Sequence, residues 1–498
     1  MSDHHYDVAI IGAGISGIGA ACHLQRECPD KSFTILEGRD AIGGTWDLFR
    51  YPGIRSDSDL YTFGYDFKPW YGQPIATAPE ILRYLNEVVD EHELRHHIQF
   101  NQWVAHAAWS TEDARWTITS GHDGAETVTR ARFLFLCQGY YNYQAGYQPE
   151  FANQEAFNGT IIHPQQWPED LDYNNKRMVI IGSGATAATI VPAVAGDVAH
   201  VTQLQRSPSY YYSMDNTTEE PVVEELRELK VPEDTIYAVK RHLALAFNED
   251  IAERSRTDPE GTKAELIELA REQLPEAYDV DTHFTPRYGP WKERLCLLPD
   301  GDMFDAIRSG KASVTTGEIE RFEAEGVRLQ SGELLPADII VTATGIELCG
   351  LGDIAFEVDG QAISVPDRWT YYGMLLSDMP NMAWSFGYIR TSWTMRSDMI
   401  AHYVCRLLNH MDEIGVRQCT PRLRPEDAGL NGKAFIDPDD FAPGYMRRGT
   451  HRLPKQGDHG PWTNCQDYFK EKDIIPALTF DDDVLVFDNP QPDAVDAA

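Results

Sequence analysis

Val8-Ala9-Ile10-Ile11-Gly12-Ala13-Gly14-Ile15-Ser16-Gly17 opens the chain with four apolar residues running straight into a Gly-x-Gly-x-x-Gly turn. Met178-Val179-Ile180-Ile181-Gly182-Ser183-Gly184-Ala185-Thr186-Ala187 repeats the arrangement, with alanine in the last position. Each stretch reads as a buried strand, a tight turn and the start of a helix. Backbone N–H groups and the helix dipole then face whatever sits at the turn, and together they suit a pyrophosphate. The residues downstream tell the two sites apart. Phe33-Thr34-Ile35-Leu36 reads as a second strand ending in Glu37, whose carboxylate accepts from a ribose diol and repels a 2′-phosphate. Val201-Thr202-Gln203-Leu204 ends in Gln205-Arg206-Ser207, and a guanidinium there forks onto a 2′-phosphate. The first site therefore suits a nucleotide without a 2′-phosphate, and the second suits NADP.

A lone glycine turn is weak support for a nucleotide site, but here each copy carries its strand, helix opening and strand-end residue at the spacing of a βαβ unit. Phe133 to Gly139 and Asp338 to Gly345 add a buried-type strand ending on glycine to each unit. The fold class expected is α/β, with two Rossmann-like dinucleotide-binding domains. Between them, Val222, Val223, Leu226 and Leu229 after Pro221 form one apolar stripe, and Thr262-Lys263-Ala264-Glu265 has the form of a capping box, so a helical insertion is expected. A helix is also expected over about Met399 to Met411, and a linker over Tyr140 to Pro149.

The bulk properties narrow the class. A chain of 498 residues is too long for one core. Its formal net charge of -35 sets it against nucleic acid and anionic membranes, and a strongly hydrated acidic surface of this kind is tolerated in high salt. The eight cysteines include no Cys-x-x-Cys pair and no cluster with histidine, so reduced thiols and no metal site are expected. Met178 to Gly196 is apolar but contains the second turn and Pro192. The run from Val8 to Cys22 lacks an upstream Lys or Arg and contains the first turn. Neither reads as a membrane span or leader, and a cytoplasmic location is expected.

Between the two units lies Phe157-Asn158-Gly159-Thr160-Ile161-Ile162-His163-Pro164-Gln165-Gln166-Trp167-Pro168, of the form FxGxxxHxxxWP. Gly44-Thr45-Trp46, Tyr51-Pro52-Gly53 and Asp57 supply a second block. In both blocks the chain resembles the Baeyer–Villiger monooxygenases, class B flavoproteins that insert oxygen beside a carbonyl. The segments Gly387-Tyr388, Ser392-Trp393-Thr394 and Leu453 to Gly457 look most like the ethionamide-activating branch. The resemblance implies FAD at the first turn and NADPH at the second. On that basis the chain divides into residues 1–150 (FAD-binding, first part), 151–214 (NADP-binding, first part), 215–300 (helical insertion), 301–380 (NADP-binding, second part) and 381–498 (FAD-binding, C-terminal part).

The same resemblance assigns roles. FAD contacts are implied for Gly12, Gly14, Gly17, Glu37, Gly44, Thr45, Trp46, Asp57 and Val104. NADP contacts are implied for Gly182, Ser183, Gly184, Thr186, Ala187, Arg206 and Ser207, with Arg55 on the nicotinamide side. The chemistry implied, attack of an anionic flavin C4a-peroxide on a ketone, needs a permanent cation beside the anion and an acid to orient that cation. Arg294, in Tyr288-Gly289-Pro290-Trp291-Lys292-Glu293-Arg294-Leu295, and Asp57 are the residues implied. Phe157, Gly159, His163 and Trp167 are implied in domain coupling, and Trp393 in the substrate pocket. The expected substrates are O2 with a small ketone or thioether. Three other readings fit part of the pattern: a flavin monooxygenase devoted to sulfur or nitrogen, an NADPH oxidase, reductase or electron-transfer flavoprotein, and a nucleotide sensor. A disulfide reductase lacks its dithiol here, and a sensor has no use for an oxygen-activating arginine.

Overall fold

The computed structural model describes residues 4–489 apart from residue 294. Four helices position the site: α1 (Ile15–Glu27), α2 (Ala185–Val194), α3 (Asp302–Arg308) and α4 (Trp393–Glu413). The first apolar run lies inside a nine-stranded sheet, parallel to Phe33–Leu36 on one side and to Ala125–Leu136 on the other. Alternate residues of a strand face opposite ways. Val8 and Ile10 accordingly enter a core shared with α1 and α4, while Ala9 and Ile11 enter one built around Trp109 and Trp116. Burial on both faces explains why the run is continuously apolar. Trp103–Ser110, Arg115–His122 and Ala125–Leu136 form an antiparallel meander. The C-terminal strand Met382–Trp384 returns to pair with Leu134 to Leu136.

The second glycine turn lies in a separate five-stranded sheet, all parallel, in the order Ala312–Thr316, His200–Gln205, Arg177–Ile181, Ile339–Val341, Thr160–Ile162. The helical region carries Pro221–Glu228, Glu233–Thr257 and Pro259–Glu272, and it is closed by parallel pairing of Tyr210–Met214 with Leu295–Pro299. The chain leaves the first domain along Tyr141–Gly146 and re-enters along Ile346–Leu348, and these two strands pair antiparallel.

Several expectations need correction. The stretch 140–149 is not a bare linker but carries the first of the two crossover strands. The range 301–380 is too long for the second domain: Ala355–Val358 adds to Trp103–Ser110 of the first sheet, and Gln361–Ile363 follows it. The edge of the meander takes a partner from late in the chain, which short-range pattern cannot show. The helix beginning at Pro259 is capped by Asp258, which accepts from Gly261 N, and Thr262 instead donates to the Asp258 carbonyl. Proline at the first helical position, where its missing N–H costs nothing, sets that start. Val222 and Leu229 are exposed and only Val223 of that stripe is buried. The late helix begins six residues before Met399, at Trp393. Among the described residues, no helix is long and apolar enough to cross a membrane.

Candidate functional site

Both nucleotide helices begin on a glycine, Gly14 or Gly184, with no side-chain cap. Their first N–H groups are left for a ligand. At α1 the close approach that permits this is visible in Gly17, where an added Cβ would lie 1.9 Å from the Gly12 carbonyl oxygen. Gly14 differs: its nearest protein neighbour for a Cβ is Gly44 Cα at 3.7 Å, and it faces a cavity of about 240 Å³.

That cavity gathers most of the residues expected to hold FAD. Gly12, Gly14, Glu37, Gly44, Thr45, Trp46, Asp57 and Val104 line it, as does Trp393, expected in the substrate pocket. Gly17 serves from behind, in the packing of α1 on the turn. Glu37 is buried, which raises its pKa above the usual carboxylate range. Ala13 N at 2.7 Å and Arg39 N at 2.9 Å donate to its two oxygens and oppose that rise. Each oxygen keeps a further lone pair for a diol. Trp46 meets Phe63 edge-on, and Trp393 stacks on Tyr140 and donates from Nε1 to Ser16 Oγ at 2.7 Å. This last bond ties the start of α4 to the start of α1. Gln138, Tyr140 and Tyr388 also line the cavity, as do Tyr143 and Thr391, which were not singled out from sequence. Arg39 was missed as well; it pairs with Asp47 at 2.6 Å and donates to the Gly44 carbonyl, bracing the 43–47 turn.

A second, smaller cavity of about 20 Å³ adjoins the first, and Asp57, Ser58 and Thr391 wall both. Its other walls include Met214, Phe247, Asn248, Trp291 and Leu295 from the helical region, together with Asp59 and Arg390. Arg390 is largely buried, which depresses its pKa; its nearest acid is Asp440 at 3.9 Å. Arg294 lies outside the described residues. Its neighbour Glu293 is half-buried, and burial raises its pKa against the charges of Arg447 and Arg206.

At the second turn Ser183 is held from two sides. Its hydroxyl donates to the Ser207 carbonyl at 3.0 Å, and Tyr211 Oη donates to its carbonyl at 2.9 Å. Ala187, in the place of the third glycine, is fully buried, so a methyl is accommodated there. Gln205 points inward to the His283 carbonyl and Thr316, whereas Arg206 stands exposed at the strand end, where a 2′-phosphate is expected.

The first domain meets the second through the Tyr51-Pro52-Gly53 block. Tyr51 is buried with a hydrogen bond to Thr186, and Gly53 packs on Ala193 of α2. Arg55, expected on the nicotinamide side of NADP, lies at the interface between the two domains. It forks onto Asp302 at the start of α3 and also reaches the Ala188 carbonyl at 3.5 Å. An acid at the partly buried domain interface claims this guanidinium.

Of the FxGxxxHxxxWP motif, His163 sits at the crossover. His163 is buried, which lowers its pKa, and its Nε2 faces the Gly345 carbonyl at 3.2 Å. Its ring fills the space beside Gly146, where a Cβ would come within 1.9 Å. One imidazole thus touches the ends of both crossover strands. Phe157 packs against Phe322, Gly159 runs close to the Asp338 carbonyl, and Trp167 meets Tyr173 edge-on.

Comparison with known proteins agrees with this geometry. Residues 58–220 match the family described as flavin-binding monooxygenase-like, and residues 10–72 match the NAD(P)-binding Rossmann-like domain. The chain is 47% identical over 485 residues to the FAD-containing monooxygenase EthA of Mycolicibacterium smegmatis, covering 97% of each. Among solved structures, the open form of cyclohexanone monooxygenase superposes with TM-score 0.71 at 23% identity, over 85% of this chain and 90% of that one. An oxidized steroid monooxygenase bound to NADP gives TM-score 0.69 at 23% identity, over 85% and 87%. The chain belongs to the family of FAD-containing, flavin-binding monooxygenases that these relatives represent.

Proposed function

We propose that the chain is an FAD- and NADPH-dependent Baeyer–Villiger monooxygenase that uses O2 to convert ketones to esters or lactones and also oxygenates thioethers. The observation that carries this reading is the shared wall of Asp57, Ser58 and Thr391 between the large cavity at the first glycine turn and the small cavity facing the helical region. The second space, at about 20 Å³, admits only a water-sized group by itself, so an organic substrate approaching from the helical region would reach a cofactor in the first cavity across this wall. The donors present fit FAD: uncapped amides at α1 for the pyrophosphate, Glu37 for the ribose, and an apolar wall of Trp46, Phe63 and Trp393 for the ring. When bound, FAD takes hydride from NADPH and supplies the electrons that activate O2.

The chain's own residues do the rest. The Ser16–Trp393 bond and the Tyr140 stack fix a wall against which the ring would lie. Arg294 supplies the permanent positive charge that favours a negatively charged oxygen nucleophile, and Asp57 orients it. Arg206 selects NADPH through its 2′-phosphate. His163 stays neutral in its buried setting and couples the crossover strands without transferring protons. A carbonyl carbon needs a nucleophilic oxygen and a thioether sulfur an electrophilic one, and the two forms differ by one proton, so one site serves both. The test is to assay matched ketones and thioethers while tracking NADPH. Ester formation that accounts for NADPH use supports the reading. Sulfoxide from every thioether with no ester from any ketone would assign the chain to sulfur oxygenation instead.

A further inference from the structure

α1 and α4 pack against one another away from the cavity as well as beside it, and each brings an i, i+4 pair to their seam: His23 and Glu27 from one, Asp398 and His402 from the other. Asp66 closes the outer side. Glu27 Oε1 lies 3.0 Å from His23 Nδ1 and 2.8 Å from His402 Nδ1. The far nitrogens of the same two rings also face acids, His23 Nε2 toward Asp398 at 3.3 Å and His402 Nε2 toward Asp66 at 3.4 Å.

We propose that His23, Glu27 and His402 form a binding site for a divalent first-row transition metal ion, with zinc the best match. Each of the three offers one donor atom, and the three lie within 4.8 Å of one another. Two imidazoles with one carboxylate is a donor set that zinc takes, and nitrogen-rich sets favour it over calcium or magnesium. The acids on the far nitrogens are the second observation. A metal-bound histidine ordinarily donates its other N–H to a carboxylate, which fixes the tautomer and aims the ring, and both rings here have that partner. An overlapping triad, His23 with Asp66 and Asp398, contains a single imidazole and matches zinc less well. Access is available: His23 is fully buried, but Glu27 and His402 are 25% and 40% exposed, so an ion enters from their side and solvent completes its coordination. The net negative charge of the chain favours that arrival. An ion here would clamp the two helices whose first turns are already joined by Trp393 and Ser16 at the cavity.

The experiment uses tag-free, flavin-loaded full-length protein, stripped with chelator and then titrated with Zn2+ by calorimetry and with Co2+ by visible absorption. The expected result is one saturable equivalent per chain, nitrogen-type Co2+ bands, and a rise in melting temperature with Zn2+. H402A and E27Q should each weaken binding about 100-fold or more, and D66N, which removes an orienting acid, roughly 10–100-fold. H106A, on the meander surface, should change nothing. Two variants at partly exposed positions keep the test open if one misfolds, which circular dichroism and flavin content report. No saturable binding by the parent, or binding that H402A and E27Q leave unchanged, overturns the proposal.

Discussion

Gly17→Ala and Gly14→Ala, three residues apart in one turn, should fail for different reasons. At Gly17 the new Cβ would stand 1.9 Å from the Gly12 carbonyl oxygen. Ordinary contact begins near 3.4 Å, so the backbone of the turn and α1 must separate by about 1.5 Å, and no rotamer can relieve it. Overpacking of this kind costs about 1–3 kcal/mol, and at roughly 2–4 °C per kcal/mol for a domain of this size the flavin-free protein should melt about 2–12 °C lower. At Gly14 the Cβ meets nothing closer than Gly44 Cα at 3.7 Å and points into the cavity. Flavin-free Gly14→Ala should therefore melt within about 2 °C of the parent while binding FAD at least about tenfold more weakly, because the methyl stands where the pyrophosphate meets the helix amides. Scanning fluorimetry of deflavinated protein and an FAD titration read the two effects separately. Unchanged FAD affinity in Gly14→Ala would refute the placement of the cofactor, and unchanged melting of Gly17→Ala would refute the packing argument.

Arg206→Ala should raise KM for NADPH at least tenfold while moving KM for NADH little; an equal effect on both removes Arg206 from 2′-phosphate recognition. Arg294→Ala should retain FAD and NADPH oxidation but lose oxygenated product, and retained ester formation would dismiss its proposed role. Asp338 is held at about 2 by its hydrogen bonds to Arg177, below its ordinary 3.8. A carboxylate depressed on folding adds stability above its unfolded pKa and loses it as pH falls toward the folded one. The pair is part exposed, so Asp338→Asn should cost under about 1 kcal/mol at pH 7, with the melting gap to the parent narrowing as pH drops from 5 toward 3. A gap that stays constant with pH would contradict the pairing.

The features legible in the sequence were local ones. A strand, a glycine turn and a strand-end residue follow one another within about thirty positions, so both nucleotide units and Glu37 could be read before any fold was known, whereas Gly44, Thr45 and Trp46 were implied only by the family resemblance. The cavity walls that went unread are assembled from far apart: Tyr143 from a crossover strand, Thr391 from the approach to α4, Arg390 from beside it. No periodicity links such positions. Arg55 shows the opposite limit, since its place in the second motif block was clear but its claim by Asp302, 247 positions away, was not. The cluster of His23, Glu27, Asp398 and His402 is likewise two ordinary i, i+4 pairs until the two helices meet.

Mass spectrometry of the product formed under 18O2, with NADPH and H2O2 counted in the same reaction, shows whether oxygen reaches an organic acceptor. Oxygen transfer places one atom of 18O in each molecule of ester or sulfoxide, with product matching NADPH consumed. NADPH oxidation that ends wholly in hydrogen peroxide, across ketones and thioethers alike, would contradict it.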